Sequence, residues 1–165
     1  MYIGLVKNFQ QTTINNSCSF EGVTLHSGQY SKITLHPSPA NTGIKFKRVD
    51  IDSGKNIIEA KFQNVTSPIL CTKIKNSQGV TVSTIEHLMG AFYGLGIDNA
   101  IVELNSQELP IMDGSAKKFV ELILEAGIQT SEVPIKVIKV EKQIKIREGD
   151  KSISINKSNV SLDID

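Results

Sequence analysis

Ser83-Thr84-Ile85-Glu86-His87-Leu88-Met89-Gly90-Ala91-Phe92-Tyr93-Gly94-Leu95-Gly96-Ile97-Asp98-Asn99-Ala100 is the stretch on which the fold class turns. Within it Ile85, Leu88, Met89, Phe92 and Leu95 recur at helical spacing, which gathers them into one apolar stripe. Gly94 and Gly96 supply a stop, so the spacing predicts a helix of about three turns. Ala100-Ile101-Val102-Glu103-Leu104 then returns to a short apolar strand.

Upstream of Ser83 the period is that of strands. Gln11 to Phe20 is polar and Thr-rich, with Ile14, Cys18 and Phe20 on one parity, and is expected to form a half-exposed strand. Gly22-Val23-Thr24-Leu25-His26-Ser27-Gly28 is a loop. Tyr30, Ile33 and Leu35 lead into Pro37-Ser38-Pro39-Ala40-Asn41-Thr42-Gly43, where two prolines and a glycine must turn the chain. Ile44 to Val49 restores alternation, and Leu70 to Ile74 is expected as a further strand before the turn at Asn76 to Gly79.

Downstream, Pro110, Asp113 and Gly114 make a turn, and Phe119, Val120, Leu122, Ile123 and Ala126 mark a second amphipathic helix ending at Gly127. Strands with two such helices predict an α+β fold: a two-layer sandwich, its mostly antiparallel sheet covered on one face by the helices. A hinge is expected at Glu132 to Pro134, dividing residues 1–132, an amino-terminal α+β domain, from residues 133–165, the incomplete start of a second one. In that second part Ile135 to Val140, Gln143 to Arg147, Ser152 to Ile155 and Ser161 to Ile164 look like strands, with a hairpin turn at Glu148-Gly149-Asp150. No helix follows to cover their apolar face, so the chain is expected to stop in mid-domain.

Lys and Arg total 18 against 17 for Asp and Glu, which gives no electrostatic footprint for nucleic acid or an anionic membrane. Met1 to Lys7 lacks the pattern of a secretory signal and no run reaches about 18 apolar residues, so a cytoplasmic location is expected. Cys18 and Cys71 are then expected as thiols.

Chemistry-bearing patterns are sparse. No G-x-S-x-G, Walker loop or G-x-G-x-x-G occurs, which argues against an α/β hydrolase, a P-loop nucleotidase and a Rossmann enzyme. None of His26, His36 and His87 pairs with another at helical zinc-site spacing. What remains is Ser83-Thr84-Ile85-Glu86-His87-Leu88, which fits two readings. Ser83-x-x-Glu86 has the form of a capping box, with the hydroxyl and the carboxylate serving free amides at the helix start. Alternatively Glu86 and His87 stand side by side at the mouth of a cleft, one as base and one as metal ligand.

The wider text carries a resemblance. The run from Ser83 to Ala100, Glu108-Leu109-Pro110-Ile111-Met112-Asp113-Gly114-Ser115-Ala116, Gly22 to Gly28, and Pro39-Ala40-Asn41-Thr42-Gly43 occur in the order found in the zinc-dependent UDP-3-O-acyl-N-acetylglucosamine deacetylases, and the chain resembles the amino-terminal part of that family over roughly Gln11 to Ala126. The resemblance implies hydrolysis of the N-acetyl amide of a UDP-linked acylated glucosamine, the committed step of lipid A biosynthesis. It implies Zn2+ as cofactor, His87 as a zinc ligand, Glu86 as general base, and Leu70, Cys71 and His26 beside the substrate. Cys71 fits a small buried side chain equally well, His26 and His36 also fit solvated loop histidines, and Asp113 fits a turn and cap better than an acid.

The family's remaining zinc ligands, a His and an Asp with three residues between them, and the His that protonates the leaving amine match nothing in this sequence. The chain is therefore expected to supply half a site, to be inactive by itself, and to need a carboxy-terminal domain of the same enzyme as its partner. The alternative, from another class, is a non-catalytic module that binds a nucleotide sugar or an acyl chain.

Overall fold

The computed structural model describes residues 10–157 apart from 68, 137 and 139. The chain divides into two compact units, residues 1–134 and 135–165.

The core of the first unit is a five-stranded sheet. Its strands, after β1 (Gln10–Ile14), are β2 (Cys18–Val23), β3 (Tyr30–Pro37), β4 (Ile44–Arg48), β5 (Ile57–Glu59) and β9 (Ala100–Leu104), in the order β2-β3-β9-β4-β5. All neighbours are antiparallel except β4 and β9. Alternation decides the faces: Phe20, Ile33, Leu35, Phe46, Ile58, Val102 and Leu104 are buried on the inner side. The outer side is polar, with Lys47 Nζ 2.7 Å and His36 Nε2 3.3 Å from the Glu103 carboxylate.

Two helices, α1 (Glu86–Leu95) and α2 (Lys117–Ala126), cover the inner side. Leu88, Ala91 and Phe92 of the first and Phe119 and Ile123 of the second join the same buried cluster as the sheet residues. Phe20 and Phe119 meet with ring centroids 5.2 Å apart, inside the favourable range for tilted aromatic pairs. The α+β sandwich with its helices on one face is thus the observed architecture. The first helix ends where expected: Gly96 takes φ 73°, and its N–H donates to the carbonyls of Phe92 and Tyr93. No helix among the described residues is long and apolar enough to cross a membrane.

A separate three-stranded antiparallel sheet holds β6 (Val65–Ser67), β7 (Lys73–Lys75) and β8 (Thr81–Ser83), the strand that feeds α1. The buried Arg48 guanidinium links this sheet to the larger one, donating to the Thr81 carbonyl at 2.9 Å while gripping Asp50 through two nitrogens.

Two local expectations are corrected. Gln11 to Phe20 is two strands, because Asn15 and Asn16 leave the extended path to donate their amides to the Gly127 and Ala126 carbonyls at the end of α2. Leu70 to Ile74 is not a strand: Leu70 sits at φ 60°, and pairing starts only at Lys73. β10 (Ile128–Pro134), which pairs antiparallel with β1, runs through the expected boundary segment Glu132 to Pro134.

In the second unit, β11 (Ile144–Glu148) and β12 (Lys151–Ile155) form a hairpin closed at Gly149-Asp150, with Ile144 opposite Ile155 and Ile146 opposite Ile153. The described residues of 135–140 form no strand, and Ser161 to Ile164 lie outside the described residues.

Candidate active site

Strand β8 delivers the chain to α1 through one strained residue. Ser83 is locked beside residues 107–109, donating its amide to the Gln107 carbonyl at 2.9 Å and accepting from the Leu109 amide at 3.2 Å. Thr84 then takes φ 58°, unfavourable for a β-branched side chain, and reverses the strand into the helix. Ile85 is buried in the core beneath the turn, so Glu86 and His87 occupy the first two helical positions, both half-buried.

The capping box expected at Ser83-x-x-Glu86 does not form. The Ser83 hydroxyl donates to the Gln107 carbonyl at 3.2 Å, and α1 has no side-chain cap. A capping serine needs to stand next to the first helical turn, and the Thr84 reversal takes Ser83 out of that position. Glu86 instead accepts a hydrogen bond at Oε2 from the Thr72 amide, 3.0 Å away. Its carboxylate is thus held at the positive end of the helix dipole and against the segment that follows Leu70 and Cys71. Leu70 is 84% exposed and Cys71 is a half-buried free thiol.

His26 lies on the exposed turn after β2. Thr24 organises that turn: its amide donates to the Gln29 carbonyl, its hydroxyl lies 2.6 Å from the Ser27 hydroxyl, and Gly28 closes the bend at φ 65°. The His26 and Ser27 amides both donate, at 2.9 Å, to the two oxygens of Glu108. Glu108 Oε1 also accepts from the Thr84 hydroxyl at 3.1 Å. Burial disfavours the charge of Glu108, yet the two loop amides and the hydroxyls of Ser27 and Thr84 outweigh it and hold the carboxyl below the ordinary glutamate range.

Leu70 and Cys71 are thereby tied to Glu86 through Thr72, and the His26 turn to the approach of the same helix through Glu108. His36 is elsewhere, on the outer face of the large sheet, with Nδ1 2.9 Å from the Ser17 hydroxyl. Asp113 does the work of a turn, accepting from the amide and hydroxyl of Ser115. Among the described residues no three His, Cys, Asp or Glu side chains gather as a metal site. Reading the sequence for chemistry missed Thr84 and Glu108, since neither a positive φ nor a partner 82 residues away leaves a local mark. The one available signal was a carboxylate placed directly before apolar Leu109-Pro110.

Residues 11–165 match the family model of LpxC, UDP-3-O-acyl N-acetylglycosamine deacetylase. The chain belongs to this family. Among curated relatives, the UDP-3-O-acyl-N-acetylglucosamine deacetylase of Pseudoalteromonas atlantica is 49% identical over 142 residues, covering 86% of this chain and 46% of the relative. The protein of the same name from Xylella fastidiosa is 50% identical over 142 residues, with the same coverage. That of Haemophilus ducreyi is 42% identical over 156 residues, 94% of this chain and 51% of its own length. The chain spans about half the length of the curated relatives it matches.

Proposed function

We propose that this chain supplies the amino-terminal half of a zinc-dependent deacetylase that removes the N-acetyl group of UDP-3-O-acyl-N-acetylglucosamine, the committed step of lipid A biosynthesis. One observation carries the proposal: Glu86 and His87 open α1 half-buried, with the carboxylate bound to the Thr72 amide rather than consumed in capping its own helix. Family membership and relatives named for that reaction support it.

His87 supplies one imidazole donor for the zinc. The described residues do not fit a catalytic zinc by themselves, because such a site takes three protein ligands. The other donors are assigned to the carboxy-terminal domain, the partner this half requires, and the isolated chain is accordingly expected to be inactive. Glu86 acts as general base: it takes a proton from the water whose oxygen bonds to the acetamide carbonyl carbon. The C–N bond then breaks, acetate leaves, and the proton ends on the freed amine. Leu70, Cys71 and His26 border the substrate. Both cysteines are free, in keeping with a cytoplasmic setting.

In the polypeptide that joins this chain to its carboxy-terminal domain, Glu86→Ala should lower turnover by roughly 10²–10⁴-fold while zinc stays bound. His87→Ala should release the metal. Turnover that survives Glu86→Ala, measured with zinc content in the same samples, rejects Glu86 as the base.

A further inference from the structure

We propose that Glu108 is a positioning residue, a buried carboxylate that sets the His26 turn in a fixed relation to the residue that aims Glu86 and His87. This rests on the reading of those residues as substrate-binding and catalytic.

Glu108 is 2% exposed, and its two oxygens are divided between consecutive amides, His26 N–H at Oε1 and Ser27 N–H at Oε2. Two parallel bonds from adjacent amides fix the orientation of the turn as well as its distance. A further donor, the Thr84 hydroxyl, belongs to the residue whose left-handed backbone converts β8 into α1. Thr84 is itself 3% exposed, so this hydrogen bond lies in the interior. The backbone on either side repeats the linkage: Ser83 bridges to Glu108, and Thr24 to Pro110.

A fold alone does not call for this. Burying a carboxylate costs more than burying an apolar side chain of similar size, and it is offset only where the carboxylate is fully hydrogen-bonded. The His26 turn is exposed and could hydrogen-bond to water, so scaffolding does not require its amides to be held from within. A carboxylate there gains its use from joining two segments, Thr24 to Gly28 and Thr84 to His87, by side-chain hydrogen bonds added to the backbone bridges on either side.

Glu108→Gln puts an NH2 against one of the amide donors and should free the turn. On the full 165-residue chain, hydrogen exchange at His26 and Ser27 should accelerate about tenfold or more, the factor carried by one charge-assisted hydrogen bond. The Glu86 and His87 amide resonances should shift, and core amides such as Val102 should keep their rates. Thr84→Val removes the hydroxyl and keeps the branched shape; it should shift Glu86 and His87 while leaving His26 and Ser27 protected. In the polypeptide completed by its carboxy-terminal domain, Glu108→Gln should raise KM about tenfold with a smaller change in kcat, and Glu108→Asp should recover part of the loss. Unchanged exchange at His26 and Ser27 overturns the proposal, as does uniform loosening that reaches Val102, or Glu86 and His87 resonances that stay still in both variants. The exchange and resonance measurements need no turnover, so a completed enzyme without deacetylase activity would reject the functional reading while leaving the coupling to stand or fall on its own.

Discussion

Thr84 has a branched Cβ in a backbone conformation that costs of order 1–3 kcal/mol, and it keeps that conformation because Ser83, Ile85 and Glu108 hold it from three sides. Its hydroxyl donates to a charged acceptor, a bond worth about 1.5–3 kcal/mol when removed. Thr84→Ala should therefore destabilise the chain by about that amount, and Thr84→Ser, which keeps the oxygen, by roughly 1 kcal/mol or less. Urea unfolding of the pair would show it, and equal losses would mean that the hydroxyl bond is immaterial. Acid reports on the other partner. The carboxyl of Glu108 is depressed in the folded chain, so the unfolded chain binds its proton first as pH falls. The contribution of Glu108 is complete above the ordinary glutamate range and declines as pH drops through it toward the folded value. The stability gap between wild type and Glu108→Gln should thus narrow on acidification, and a gap independent of pH would contradict the assignment.

At the scale of elements, α1 and α2 stay on the sheet through a few large side chains. Phe119 is 1% exposed and packs on Phe20, so Phe119→Ala should cost about 3–5 kcal/mol, the usual range for emptying a buried aromatic position. Tyr93, on the far side of α1 at 86% exposure, should change stability by about 0.5 kcal/mol or less when replaced by Ala. Thermal or urea denaturation of both variants tests which face of the helices carries the packing. The strand-to-helix order, the end of α1 at Gly96 and the end of α2 at Gly127 were all legible, because periodicity and glycine act within a few residues. The β10 strand was not, because Thr130-Ser131-Glu132 has the composition of a loop and its partner β1 lies more than a hundred residues away.

At the scale of the whole molecule, the two compact units differ in how much apolar surface they enclose. The first has a closed core of sheet and helices. In the second, Ile144, Ile146, Ile153 and Ile155 share one face of the hairpin, and all four are exposed. A two-stranded hairpin is marginal by itself, and such a face invites association. The chain should show concentration-dependent self-association in sedimentation velocity, reduced by Ile146→Lys. A monomer at every concentration, unaffected by that change, would show that the isoleucine face is inert.

The sequence by itself determined the two helices, β3, β4 and β9, the sandwich and the family, because alternation, helical period and a run of motifs in fixed order are properties of neighbours along the chain. It also singled out Glu86 and His87, yet left them between a helix cap and a catalytic pair. Only the tertiary structure removed the cap, by turning the backbone at Thr84 so that Ser83 bonds Gln107 and Glu86 reaches Thr72. Only it joined Glu108 to His26 and Ser27, more than eighty residues earlier. Hydrogen-bond partners so far apart in sequence are chosen by packing of the sheet, which brings their segments together around a buried carboxylate.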